Sequence, residues 1–147
     1  MRLREFVSRG GTVVFLNRST AYATEVLKVK AKNAVEGMAE QDFYAPGSLL
    51  NVLLDTSHPL ALGLPREIAV WSEHSPAFRT EEGAVARYPD AEILASGWLL
   101  GEQRLAGQAA LVDERLGHGR VILFGMRPQY RGQSYQTFKL FFNSLLE

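Results

Sequence analysis

The chain has 147 residues, 46% hydrophobic and 22% charged, a globular composition long enough for one domain to bury a core without disulfide or metal. Its 16 basic and 16 acidic residues cancel, removing the cationic excess that bulk nucleic-acid binding needs. The absence of cysteine excludes disulfide frameworks, thiolate metal sites and thiol nucleophiles, and no apolar run is long enough for a membrane span.

Met1-Arg2-Leu3-Arg4-Glu5 is charged and unlike a signal peptide, which leaves the compartment open, with an exported parent protein one option. Leu3, Phe6 and Val7 fall at helical spacing, Gly10-Gly11 supplies a stop, and Thr12–Leu16 reads as a buried strand. In a parallel sheet such a helix is the crossover from an earlier strand, so the expectation is that an N-terminal portion is missing. Ser19 or Thr20 is placed to cap a short helix through Tyr22, Val26 and Leu27, and residues 28–37 show no clean period. A helical turn is expected over Ala39–Phe43, a second strand over Ser48–Leu54, and a turn around Pro59 that ends by Leu64.

The middle of the chain reads as short strands: Ile68–Trp71, Ala77–Arg79, Val85–Tyr88 and Ile93–Ala95, followed by the apolar segment Trp98–Leu100. Two apolar runs, Ala109–Asp113 and Arg120–Gly125, flank Gly117-His118-Gly119 and predict a β-hairpin. Ser134 is positioned to cap a final helix whose Thr137, Phe138, Phe141, Phe142 and Leu145 form a wide apolar face. No repeat or linker divides the chain, so residues 1–147 are expected to be a single α/β domain.

Candidate chemistry is sparse. A serine elbow of the form G-x-S-x-G is absent, and His58, His74 and His118 lie in separate turns without metal-ligand spacing. The Gly101–Gly107 loop lacks the lysine and hydroxyl of a phosphate loop, and the acidic pairs Glu81-Glu82 and Asp113-Glu114 read as solvated turn charges. Trp71 and Trp98 read as core aromatics in strand contexts, with stacking platforms as the alternative.

One polar cluster stands out. Residues 127–133 lie between the end of a central-looking strand and the start of a helix, where α/β sheets bind ligands and where arginines favour anions. Arg127, Gln129, Arg131 and Gln133 are therefore candidate ligand or partner contacts. Asn17 and Ser19 join them, since they follow the strand that ends at Leu16.

Several stretches taken in order carry a resemblance. They are Leu3–Val7 with Gly10-Gly11-Thr12, Phe43–Leu50, and Asp55–Ala61 with Gly63-Leu64-Pro65. Ser96–Gly101 and the run from Gly117 through Phe142 complete the set. Together they resemble the class I glutamine-amidotransferase-like domain, a three-layer flavodoxin-like α/β fold, in the version found at the C-terminal end of bacterial carboxypeptidase A-like zinc peptidases. The resemblance transfers no catalytic residue: the amidotransferase cysteine is missing, and no histidine is followed three residues on by Glu as the peptidase zinc motif requires.

What the resemblance implies is a non-catalytic accessory or interaction domain, a C-terminal fragment of a larger protein, with any zinc held in the parent peptidase domain. Its expected partners are that peptidase domain and, through an incomplete sheet edge, a second copy of itself; nucleic acid and membrane are not among them. The rival expectation is a free-standing flavodoxin-like small-molecule-binding protein or enzyme, with its site at the loops following Leu16 and Phe124.

Overall fold

The computed structural model describes residues 2–146. Helix α1 (Arg2–Ser8) leads through the Gly10-Gly11 stop into β1 (Thr12–Leu16). The chain then coils through a 3-10 turn (Asn17–Ser19), α2 (Thr20–Tyr22) and a π-helical turn (Ala23–Leu27). Eight further strands follow: β2 (Lys32–Asn33), β3 (Ser48–Leu54), β4 (Glu67–Ser72), β5 (Phe78–Arg79), β6 (Ala84–Arg87), β7 (Leu94–Ser96), β8 (Ala109–Leu116) and β9 (Gly119–Phe124). Helix α3 (Gln136–Leu146) closes the described chain. The mixed α/β class, the hairpin and the final helix stand as the sequence patterns indicate.

The sheet runs in the order β1-β9-β8-β6-β3-β4, with β7 paired to β3 and β2 linked through β5 to β8. Among the described strands β1 and β9 form the parallel pair, and every other pairing is antiparallel. The sheet is thus more antiparallel than the crossover grammar of its first helix suggests. The reason is local: β8 and β9 are joined by the tight turn Gly117-His118, with Gly117 at φ 63°, and so short a connection can only return the chain antiparallel.

Alternation along β9 divides the core between the two faces of the sheet. Ile122 and Phe124 pack with Leu60, Leu111 and Leu140 on one side. Val121 and Leu123 pack with Val7, Leu27 and Val112 on the other. Helical elements therefore lie against both faces around β8 and β9. Close approach of α1 to the hairpin depends on Gly119, where an added Cβ would collide with the carbonyl oxygens of Val7 and Gly11.

Four readings of the sequence need correction. Ser19 and Thr20 do not cap from the position before a helix. Ser19 sits inside the 3-10 turn, where its Oγ accepts from Leu16 N–H at 2.9 Å and donates to Leu16 C=O at 2.7 Å. Second, the buried stripe of α3 is Thr137, Leu140 and Ser144, with Phe141 half-buried, which leaves Phe142 and Leu145 exposed. Thr137 wins this face because its Oγ1 is held by Ser134 and donates to Pro128 C=O, fixing the helix rotation from its first turn.

Third, Asp113 and Glu114 are not solvated. Asp113 is bidentate to the Arg120 guanidinium and lies 3.2 Å from His58 Nε2. Glu114 accepts the backbone N–H groups of Lys30 and Ala31, pinning the loop after the π-turn, as buried carboxylates require. Fourth, Trp98 is 62% exposed: its segment is held by the bridge Tyr44–Leu100, the bonds of Ser48 Oγ to its backbone and the packing of Leu99 on the core, none of which covers the indole.

Two outcomes follow. Gly119→Ala should lower stability by about 2 kcal/mol or more, read as a shifted urea midpoint, because neither opposing carbonyl belongs to a flexible side chain. Tyr88 is buried, and desolvation pushes its phenol well above the usual tyrosine range. Above roughly pH 10 the unfolded chain releases this proton while the fold retains it, so this stabilisation is complete below that pH and is lost as pH rises. Urea midpoints between about pH 9 and 11 should therefore fall less steeply for Tyr88→Phe than for the parent.

Candidate functional site

Parallel pairing sets Leu16 beside Phe124, so β1 and β9 end together and both chains leave the sheet at the same edge. The carboxyl ends of neighbouring parallel strands are where open α/β sheets form ligand crevices. A cleft of about 450 Å³ opens there. Asn17, Arg18 and Ser19 line it from the loop after β1, Arg127 and Gln129 from the loop after β9, and Phe141 of α3 supplies an apolar wall.

Of the six contacts read from the sequence, the structure brings four around this cleft: Asn17, Ser19, Arg127 and Gln129. Arg131 and Gln133 do not line it. Arg131, at φ 46°, turns its guanidinium over the Tyr130 ring at 5.4 Å, and Gln133 closes a backbone turn onto Tyr130 C=O. Tyr130 in turn stacks on Trp71, with ring centroids 4.6 Å apart and planes 5° from parallel. The far half of the loop is thus a packing unit, and Trp71 is its platform.

Arg127 is held from several sides. Its N–H donates to Trp71 C=O at 3.1 Å, its Nε lies 3.3 Å from Glu73 Oε2, and its guanidinium carbon sits 5.8 Å from the Tyr130 centroid. The Glu73 approach is an ion pair without hydrogen-bond geometry, so the buried Nε has no hydrogen-bond acceptor among the described residues. Asn17 is the matching case on the other strand. It is buried, stands at φ 50° in the left-handed region, and its Oδ1 has no donor among the described residues. Backbone strain and an unsatisfied buried polar atom at one residue are features that collect at functional sites.

The chemical capacity of the cleft follows from its groups. Arg18 and Arg127 provide positive charge, Asn17 and Gln129 provide amides, and no His, Asp or Glu is among the described residues that line it. Ser19 Oγ is engaged in both directions with the Leu16 backbone. A hydroxyl so placed, with no base beside it, is a structural clasp rather than an activated nucleophile. Elsewhere, His58 faces Asp113, His74 edges the Tyr44 ring, and His118 is exposed at the hairpin tip. Among the described residues no group of three or more His, Asp or Glu is placed to hold a metal ion.

Sequence reading missed Arg18 and Phe141. Arg18 lies between two residues that were picked out and carried its own signal; Phe141 reaches the cleft only through the packing of α3, which no local pattern reveals.

No family model matches the chain, and no curated protein matches it. Solved structures share its fold. A β-galactosidase from Bacillus circulans sp. alkalophilus superposes with a TM-score of 0.57 at 14% identity, over 99% of this chain and 20% of its own. Cytoplasmic protein STM3548 from Salmonella typhimurium gives 0.58 at 14% identity, over 98% of this chain and 57% of its own. A ThuA-like protein from Parabacteroides merdae gives 0.54 at 13% identity, over 95% and 61%. The chain therefore spans one fifth to three fifths of the structures it matches, and the likeness is one of fold.

Substitutions separate clasp from contact. Ser19→Ala should cost about 1 kcal/mol of stability through the lost bonds to Leu16, measured by urea unfolding. Asn17→Gly should be neutral or stabilising by up to about 1 kcal/mol, since glycine adopts a positive φ without strain.

Proposed function

We propose that the chain is a non-catalytic accessory domain that binds through the cleft at the ends of β1 and β9. The observation that carries this reading is the composition of that cleft: two arginines, two amides and a clasped serine, with no acid or base positioned for proton transfer among the described lining residues. Such a set can hold a partner and orient it. It has no group to activate a nucleophile or protonate a leaving group.

In this reading the architecture is a three-layer flavodoxin-like sheet of the class I glutamine-amidotransferase-like type, incomplete before α1. Helical elements on both faces of β8 and β9 support it, as does the fold shared with a ThuA-like protein. The half-exposed edge strand β1 is apolar from Val13 to Leu16, the composition of an interior strand, and would be completed by further strands of a parent protein. The resemblance in the sequence names that parent as a carboxypeptidase A-like zinc peptidase, in which the zinc and the hydrolytic chemistry belong to the peptidase domain.

A second reading is favoured by one observation, the unsatisfied Asn17 Oδ1 in a strained backbone at the cleft. It makes the chain a flavodoxin-like small-molecule-binding protein at the same loops.

The test is a purified chain assayed against peptide and ester substrates with and without added zinc, beside Ser19→Ala. The expected result is no turnover in any sample. Zinc-dependent hydrolysis, or hydrolysis abolished by Ser19→Ala, would overturn the accessory reading.

A further inference from the structure

The cleft does not end at Phe141. A second groove of about 200 Å³ adjoins it, lined by Pro128, Gln129, Phe138, Phe141 and Phe142, and shares Pro128, Gln129 and Phe141 with the first. Phe138 and Phe142 of this groove continue at helical spacing into Leu145, a stripe of about 10 Å along α3. Phe142 is 58% exposed and Leu145 60%. These are side chains whose full burial is worth about 2 kcal/mol each, left facing water.

Charge along this surface is mainly positive, with Glu73 paired to Arg127 from outside the cleft lining. Arg18 and Arg127 stand at the cleft end, and α3 carries Lys139 and no acid from Gln136 to Leu146. Arginine beside exposed aromatic side chains is the composition of a protein interface centre. A small molecule would fill the cleft but leave the stripe bare. A lipid surface would need a broad convex cationic face, whereas the arginines here border a recess on a chain of zero net charge.

We propose that the cleft and the α3 stripe form one docking surface for an acidic amphipathic peptide segment of a partner polypeptide. Its apolar side chains lie along Phe138, Phe142 and Leu145, and its Asp or Glu carboxylates meet Arg18 and Arg127. This inference rests on the accessory reading and supplies the chemistry of the partner. Carboxylate–guanidinium pairs fix the register, and the stripe contributes most of the affinity.

The probe is a fluorescein-labelled amphipathic peptide of roughly twelve residues, Leu and Phe on one face and Glu on the other, followed by fluorescence anisotropy. A matched peptide carries Lys in place of Glu. The acidic peptide should bind, the Lys peptide should bind at least about tenfold more weakly, and added salt should narrow the gap. Arg18→Met with Arg127→Met should erase the preference between peptides. Phe142→Ser with Leu145→Ser should weaken the acidic peptide about tenfold or more. All four positions are at least partly exposed, and unchanged circular dichroism would establish that the variants fold.

Equal binding of both peptides, or binding that survives both double variants, would overturn the inference. So would a chain that dimerises through the stripe, sedimenting as a monomer only with Phe142→Ser and Leu145→Ser, or one that ignores the peptide but binds phosphatidylserine vesicles. None of these outcomes touches the accessory reading, which is tested by turnover and by the reactivity of Ser19.

Discussion

Strand β9 is inaccessible to water on both faces from Val121 to Phe124, and burial continues through Gly125 and Met126. A strand enclosed in this way cannot shift register without driving every side chain to the wrong cluster. Its two neighbours are fixed with it, β8 through the hairpin and β1 through parallel pairing. Arg127 is the first residue after β9 to leave the core, and Asn17, itself buried, is the first residue after β1. The position of the cleft is therefore a consequence of packing in the centre of the sheet.

Around that centre, ionic and polar contacts attach the outlying segments. Arg120 and His58 converge on Asp113 and tie the turn before Pro59 to the hairpin. Glu114, on the same strand, receives the amides of Lys30 and Ala31. Asn143 Nδ2 donates to the carbonyls of Leu60 and Leu62, joining α3 to the same turn. Except for Arg120 with Asp113, which are seven residues apart in the hairpin, these links span long stretches of sequence, and they satisfy carboxylates and amides that would otherwise lack partners.

What was legible in the sequence was local. Apolar runs bounded by glycine located β1, β3, β8 and β9, because buried strands need continuous apolar chain and sharp stops. The loops after Leu16 and Phe124 were legible as a site through the general behaviour of strand ends in α/β sheets. Rotation of α3 was not legible: Phe138, Phe141, Phe142 and Leu145 are apolar around much of the helix, and the choice was made by Thr137 bonding to Pro128 C=O. Nor could adjacent acids such as Asp113 and Glu114 reveal partners at His58 and Arg120 or at the backbone amides of Lys30 and Ala31, since contacts made by the tertiary fold leave no trace in local spacing. Trp98 misled for a related reason, as an aromatic beside apolar neighbours reads as core whether or not a second layer covers it.

Binding without catalysis is the central claim, and the state of Ser19 decides it. Exposure of the folded chain to a fluorophosphonate, followed by intact mass spectrometry and peptide mapping, reads hydroxyl reactivity directly. The account predicts an unmodified chain, because Ser19 Oγ is committed to Leu16 and no base stands beside it. A stoichiometric adduct on Ser19 would contradict it.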